Sequence, residues 1–396
     1  MIRTTEPTRV AVLVETSNVY GREIQLGIAD FVRDHERWSI FAEQHELGMV
    51  PPAWLLRQKW DGIISRPTTA ALARAFRKMN VPVVDLNDQH VDLGFPLLRS
   101  DDAAIGVMAA EHLRERGFTQ FGYCGFTGEP WAAERRDGFR KALAKQGFTV
   151  AVYETPWRGR NVLSWKDEQT RLAKWIESLP PRVGVFACND VRGRHVLEVC
   201  RRLGTMVPGS VAVLGVDNDE LLCRMADPPL SSVVPNAYEI GYQAAALLQK
   251  LMKGQSVRPG IRRVAPRNVV TRQSTDVLAV GDALVASAVR FIHERASTGI
   301  RVEDVLRAVP MSRSLLERRF KQAVGRSPHV EIRQTQLRQA ARLLSDTDVP
   351  LKQIARRCGF AHMEYMSYLF KKAFGVTPGA YRRQHSRSSA TRPATR

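Results

Sequence analysis

The chain has 396 residues, 59 Lys and Arg against 40 Asp and Glu, and a formal net charge of +19. Its length argues for two or three domains at ~150 residues each, and 44% hydrophobic residues with 8% aromatics exclude wholesale disorder. No apolar run approaches the ~20 residues of a membrane-spanning helix, so no membrane partner is expected.

Residues 1–8 read as a disordered N-terminus without the apolar stretch of a secretory signal. Five cysteines, scattered and without a CxxC pair, fit the reduced thiols of a cytoplasmic protein and argue against a structural metal site.

Residues 9–275 alternate short apolar strands with amphipathic helices, the pattern of a parallel α/β domain. Strands are expected at 10–14, 39–43, 62–65, 81–86, 121–125, 184–187 and 211–216. Helices are expected at 20–35, 68–79, 103–117, 131–147, 191–203 and 237–252, with hinge segments near 117–120, 231–236 and 264–272. Ligands of such sheets sit beyond the carboxyl ends of the strands. The loops after Val14, Gly125, Ala187 and Val216 are therefore the candidates. They carry Glu15, Tyr20 and Arg22, then Trp131 and Arg135, then Asp190, then Asp217. Carboxylates and guanidinium forks suit paired hydroxyls, and an aromatic face suits the C–H side of a sugar ring. Plainer roles stand beside these: Trp131 in the core, Asp190 as the cap of the helix beginning near 191, Arg22 as a solvated helix residue.

A linker is expected over 276–284, and the charge lies beyond it. Residues 282–396 hold 22 Lys and Arg against 9 Asp and Glu, a net of +13 in 115 residues. A basic domain behind a near-balanced one is the footprint of a nucleic-acid binder. An internal repeat gives it form: Phe320-Lys-Gln-Ala-Val-Gly-Arg-Ser-Pro328 recurs as Phe370-Lys-Lys-Ala-Phe-Gly-Val-Thr-Pro378. Upstream, Val302, Val305 and Val309 match Leu351, Ile354 and Cys358.

Each copy reads as two helices around a tight turn. In the first, Ser312 caps a helix that buries Leu315, Leu316 and Phe320, and Gly325 stops it. Its other face presents Arg313, Ser314, Glu317, Arg318 and Lys321. In the second copy Cys358-Gly-Phe360 is the turn and Gly375 the stop, and the exposed set is His362, Met363, Glu364, Ser367 and Tyr368. A helix over 332–344 links the copies. Residues 385–396 read as a disordered basic tail.

The doubled unit, with Arg338, Ala340, Leu344, Ile354-Ala355, Gly359-Phe360, Phe374-Gly375, Pro378 and Tyr381-Arg382, resembles the AraC-type DNA-binding domain over 285–384. That resemblance implies an all-α double helix-turn-helix with two recognition helices in successive major-groove segments of a double-stranded operator. The first part resembles the effector domain of LacI/GalR-type regulators, a two-lobed type I periplasmic-binding-protein-like fold. The likeness rests on Asp101-Asp-Ala-Ala-Ile-Gly106, Glu134-Arg-Arg-Asp-Gly-Phe139, Ala187-Cys-Asn-Asp190 and Val213-Leu-Gly-Val-Asp217. It implies effector-binding roles for Arg135 and Asp217. The usual N-terminal helix-turn-helix of that family finds no room before the first strand.

The order of the two modules, with Asp190-Val-Arg-Gly-Arg-His195 and Gly241-Tyr-Gln-Ala-Ala245, is similar to bacterial xylose operon regulators. This likeness implies a dimeric activator with D-xylose as effector, no cofactor, and RNA polymerase as a partner. The rival class, a sugar-acting enzyme with an accessory nucleic-acid domain, finds no GxxxxGK[ST], HExxH or GxSxG motif. No catalytic residue is expected.

Overall fold

The short β-branched runs at the centre of each sheet become strands buried on both faces, as parallel sheets covered by helices require. A computed structural model describes residues 7–35, 37–42, 54–89, 92–157, 159, 162–257, 260–276, 282–324 and 326–385. Most of the expected N-terminal stretch, linker and basic tail, and the stop at Gly325, lie outside the described residues. Within them, the first strand already begins at Thr8 and the first helix of the basic region at Ala283. The chain divides into two compact units, Met1–Thr275 and Asp276–Arg396.

The first unit has two lobes, each built on a six-stranded sheet. The first sheet holds β1 (Thr8–Leu13), β2 (Trp38–Ala42), β3 (Gly62–Ser65), β4 (Val83–Asp85) and β5 (Leu97–Ser100), with β11 (Ile261–Val264) at its edge in the order β11-β5-β4-β3-β1-β2. The second holds β6 (Gln120–Thr127), β7 (Val150–Pro156), β8 (Val183–Ala187), β9 (Val211–Val216), β10 (Ser231–Val234) and β12 (Asn268–Val270), in the order β12-β10-β9-β8-β6-β7. β12 pairs antiparallel with β10, and all other pairs are parallel. Between strands run α1 (Val19–His35), α2 (Ala70–Met79), α3 (Asp102–Glu115), α4 (Pro130–Ala144), α5 (Trp165–Ser178), α6 (Asp190–Arg202), α7 (Glu220–Met225) and α8 (Ala237–Met252).

Helix α3 follows a strand of the first lobe but packs on α4 in the second, and α8 follows a strand of the second but packs on α1 in the first. The chain therefore crosses between lobes at 100–102, 234–237 and 264–268. The first crossing corrects the expectation of a hinge at 117–120: Phe118 is buried and packs beneath Gly184 of the second sheet. Glycines set both helix contacts. A Cβ on Gly106 would lie 2.2 Å from the Arg135 carbonyl oxygen, and one on Gly241 1.9 Å from that of Ile24. Any side chain there would push the helix backbones apart.

The second unit is helical: α9 (Ala283–Arg295), α10 (Val302–Ala308), α11 (Arg313–Val324), α12 (Pro328–Asp346), α13 (Leu351–Arg357), α14 (Met363–Phe374) and α15 (Pro378–His385). It has two cores, one around Val305, Leu316 and Phe320, the other around Ile354, Met366 and Phe370. Helix α12 gives Ile332 to the first and Leu337, Ala340 and Leu344 to the second, so it joins the copies as a shared wall. The Ser312 hydroxyl accepts from the Leu315 N–H, as its capping role requires, while Leu315 itself is only half-buried. Gly359 turns with φ +77° and Gly375 with φ +75°. Buried Gln336 donates to the carbonyls of Ala296 at 2.9 Å and Gly359 at 3.3 Å, tying the second turn to the C-terminal end of α9.

Candidate functional site

The carboxyl ends of strands from both sheets face one cleft, and the first-lobe wall begins with the loop after β1. The Asn18 side chain donates to Glu15 and accepts from the Gly21 N–H, which fixes the turn into α1. Buried Glu15 pairs with Arg66 after β3, and Arg66 reaches Asp88 at 2.9 Å after β4. The Arg66 guanidinium lies over the Tyr20 ring at 4.9 Å. The Tyr20 hydroxyl shares a 2.9 Å hydrogen bond with Ser100, and burial raises its pKa far above the usual phenol range. Arg22 departs from this group: it is exposed and donates to the Thr16 carbonyl at 2.8 Å, bracing the loop from outside.

Arg135 on α4 dominates the second-lobe wall. It is 5% exposed, donates Nε to Asp102 at 2.8 Å and NH1 to the Cys188 carbonyl at 2.6 Å, and stands 3.8 Å from Asp217. Its guanidinium lies over the Trp131 ring at 4.8 Å. Burial pushes Asp102 up to about 6 even though Arg135 opposes the shift, and burial raises Asp217 likewise. Asp217 (φ +102°) and Asn218 (φ +50°) adopt left-handed backbone, so the loop after β9 is held in a conformation that L-residues disfavour.

Trp131 is buried, yet its Nε1 donates to Glu129 at 2.9 Å, and Glu129 accepts across the cleft from Gln89 of the first lobe at 2.6 Å. The capping role expected of Asp190 needs correction. Asn189, not Asp190, caps α6 by accepting from the Arg192 N–H at 2.9 Å. The Asp190 carboxylate, 1% exposed, accepts from the Ser232 hydroxyl at 2.6 Å and the Asp219 N–H at 2.8 Å. Asp190 thus holds the loop that carries Asp217, with both oxygens already engaged.

In the second unit, Arg313, Ser314, Glu317, Arg318 and Lys321 form one exposed face of α11. Arg313 is shared between Glu303 at 2.8 Å and Glu317 at 3.2 Å, whereas Arg318 and Lys321 carry no ion pair among the described residues. At the start of α14, the N-cap His362 and, on the helix, Glu364 and Tyr368 are exposed and Ser367 half-buried, but Met363 packs partly against the second core.

These two geometries have counterparts among known proteins. Residues 110–275 match the periplasmic binding protein-like domain, residues 22–191 the periplasmic binding proteins and sugar binding domain of the LacI family, and residues 305–384 a helix-turn-helix domain. The xylose operon regulatory protein of Escherichia coli (strain K12) is 33% identical over 388 residues, covering 96% of this chain and 97% of that protein. The Haemophilus influenzae protein of the same name is 33% identical over 384 residues, covering 94% and 98%. The chain belongs to the xylose operon regulatory protein family.

A solved structure of a xylose-binding transcription activator aligns with TM-score 0.64 at 32% identity, over 96% of this regulator and 99% of that chain. A cellobiose complex of the regulator CelR shares the fold at TM-score 0.52 and 22% identity, covering 67% of this chain and 84% of that one. The protein is a sugar-responsive, DNA-binding transcription regulator and not an enzyme. Among the described residues no helix is long and apolar enough to cross a membrane.

Several of the regulator's cleft residues escaped the sequence reading: Arg66, Asp88, Gln89, Asp102 and Glu129. Arg66 and Asp88 follow β3 and β4, where the same strand-end rule would have flagged them. Lys371 aligns with Lys321 in the repeat and is likewise exposed, so the repeat itself was the signal for it.

Proposed function

We propose that D-xylose is the effector and that it binds between the lobes, with Arg135, Asp217, Glu15, Tyr20 and Trp131 at its wall. The observation that carries this reading is the loose 3.8 Å approach of Asp217 to an Arg135 already fixed by Asp102. Such a pair offers acceptors and a donor fork to adjacent hydroxyls, while Trp131, whose ring lies under the Arg135 guanidinium, adds apolar surface beside them. The relatives named for the xylose operon support the choice of sugar. Arg22 and Asp190 act on the site through the loops they brace.

The exposed α11 and α14 faces enter successive major-groove segments of an operator. Arg318 reads a base, and Arg313, Ser314, Glu317, Lys321, His362, Glu364, Ser367 and Tyr368 complete the contact surface. Met363 contributes through the part of its side chain not used in packing. The regulator works in the cytoplasm as a homodimer. Sugar binding favours the closed lobes and, through them, operator binding and contact with RNA polymerase. Calorimetry with D-xylose, D-ribose, L-arabinose and D-glucose tests the effector: D-xylose binds saturably without product, and the others bind at least about tenfold more weakly, a difference of ~1.4 kcal/mol. Equal affinity for all four sugars, or none for D-xylose, removes the assignment.

A further inference from the structure

Two consecutive residues of α4 have different tasks. Arg135 turns into the cleft, while Glu134 turns onto the strands that lead into the hinge. Glu134 accepts from Arg99 of β5 at 2.8 Å and from Arg263 of β11 at 2.5 Å. Arg99 lies just before the first crossing at 100–102, and Arg263 just before the third at 264–268. Arg99 is 5% exposed, and the two arginines outweigh the effect of burial on Glu134 and hold its carboxyl below the usual range. One carboxylate of the second lobe is therefore bonded to two first-lobe strands at the points where the chain changes lobes. Hinge motion is absorbed by a few residues at such crossings. A rotation that moves β5 and β11 away from α4 must stretch both ion pairs.

We propose that Glu134 is a positioning residue, an inter-lobe clamp that sets how much of the sugar-free protein is closed and so tunes sugar affinity without touching the sugar. The proposal rests on the reading of the cleft as a sugar site. A ligand that needs the closed state binds with its intrinsic constant divided by the closed fraction. Weakening the clamp lowers that fraction and raises the apparent dissociation constant, while Arg135 keeps its bonds to Asp102 and the Cys188 carbonyl.

The test uses the full chain with spin labels on Arg74→Cys in α2 and Lys174→Cys in α5, both exposed positions, one on each lobe. The five native cysteines are buried, so the labels go to the introduced thiols. Pulsed electron resonance distances are taken with and without D-xylose, alongside the melting temperature. In the sugar-free state Glu134→Gln gives a longer, broader distance distribution than the labelled parent. Its half-closing D-xylose concentration rises about fivefold, the scale of a partly exposed ion-pair network. Arg263→Gln moves both readings the same way by less, because Arg99 remains.

A Glu134→Gln protein with the parental distances and half-closing concentration overturns the clamp. So does one whose melting temperature falls while its distances do not change, since that is a merely structural role. If Glu134→Gln fails to fold, Arg263→Gln decides by the same criteria. A labelled parent that ignores D-xylose counts against the sugar assignment, while the sugar-free comparison still decides the clamp.

Discussion

Asp217 stands 3.8 Å from Arg135, an ion pair kept loose because the guanidinium makes shorter bonds elsewhere. An oxygen so placed accepts from a ligand hydroxyl without first breaking a tight contact. Asp217→Asn keeps the shape and removes the charge. It is expected to weaken D-xylose binding about 30- to 100-fold, the ~2–3 kcal/mol of a charged hydrogen bond. Calorimetry reads the loss, and a circular-dichroism melt of the sugar-free protein should move little.

The same carboxylates predict a pH dependence. Burial lifts Asp102 to about 6 and raises Asp217, so both gain protons as the pH falls from 7.5 to 5.5. Protonation weakens the hold of the two carboxylates on Arg135, which keeps its bond to the Cys188 carbonyl, and D-xylose affinity should drop over that interval. Stability runs the other way. A carboxyl whose folded pKa is raised stabilises the fold most below its unfolded value of ~3.9, and that contribution is lost as pH rises through about 6. Titrations and melts at four pH values separate the two trends.

On the nucleic-acid face the pairing of side chains ranks the arginines. Arg313 is already held by Glu303 and Glu317, whereas Arg318 is exposed and unpaired among the described residues. Arg318→Ala should cost ~1–3 kcal/mol in operator affinity and relax the sequence preference at one position. Arg313→Ala should cost less. Lys371→Ala should weaken binding to all sequences alike and lower the slope of log K against log salt by about 1. Fluorescence anisotropy on operator and scrambled duplexes distinguishes these outcomes.

Gly359 sits where the two helix-turn-helix copies meet. A Cβ there would lie 2.5 Å from the Gly299 nitrogen and 2.8 Å from the Gln336 side-chain nitrogen, on backbone already at φ +77°. Gly359→Ala adds ~1–2 kcal/mol of left-handed strain to that clash. Thermal melts should show the basic unit destabilised and operator binding reduced, with sugar affinity unchanged.

Local pattern made much of this legible. The strand Val211–Val216 and the helix Ala237–Met252 fall where alternation and periodicity place them. The fifty-residue repeat places turns at Gly359 and Gly375, where the backbone is left-handed. What stayed hidden depends on contacts far apart in sequence. The four residues of β5 are too few for a period, and nothing local to α3 says that it packs on the second sheet, so the first crossing was misplaced. The bonds that Asp190 makes to Ser232 and Asp219 are not legible locally, because those partners lie 42 and 29 positions away. Arg66 and Asp88 look like ordinary loop charges until Glu15 and Tyr20 are brought against them.

A sugar-responsive regulator of this kind couples its sugar cleft to its operator-binding face. Linkage makes that coupling a single free energy, readable from either ligand. The most direct measurement is operator affinity of the full chain by anisotropy at fixed salt, with and without saturating D-xylose. Operator binding is expected to be tighter with the sugar, with an equal gain in D-xylose affinity when saturating operator is present. Identical operator affinity in the two conditions, from protein that binds D-xylose, would contradict it.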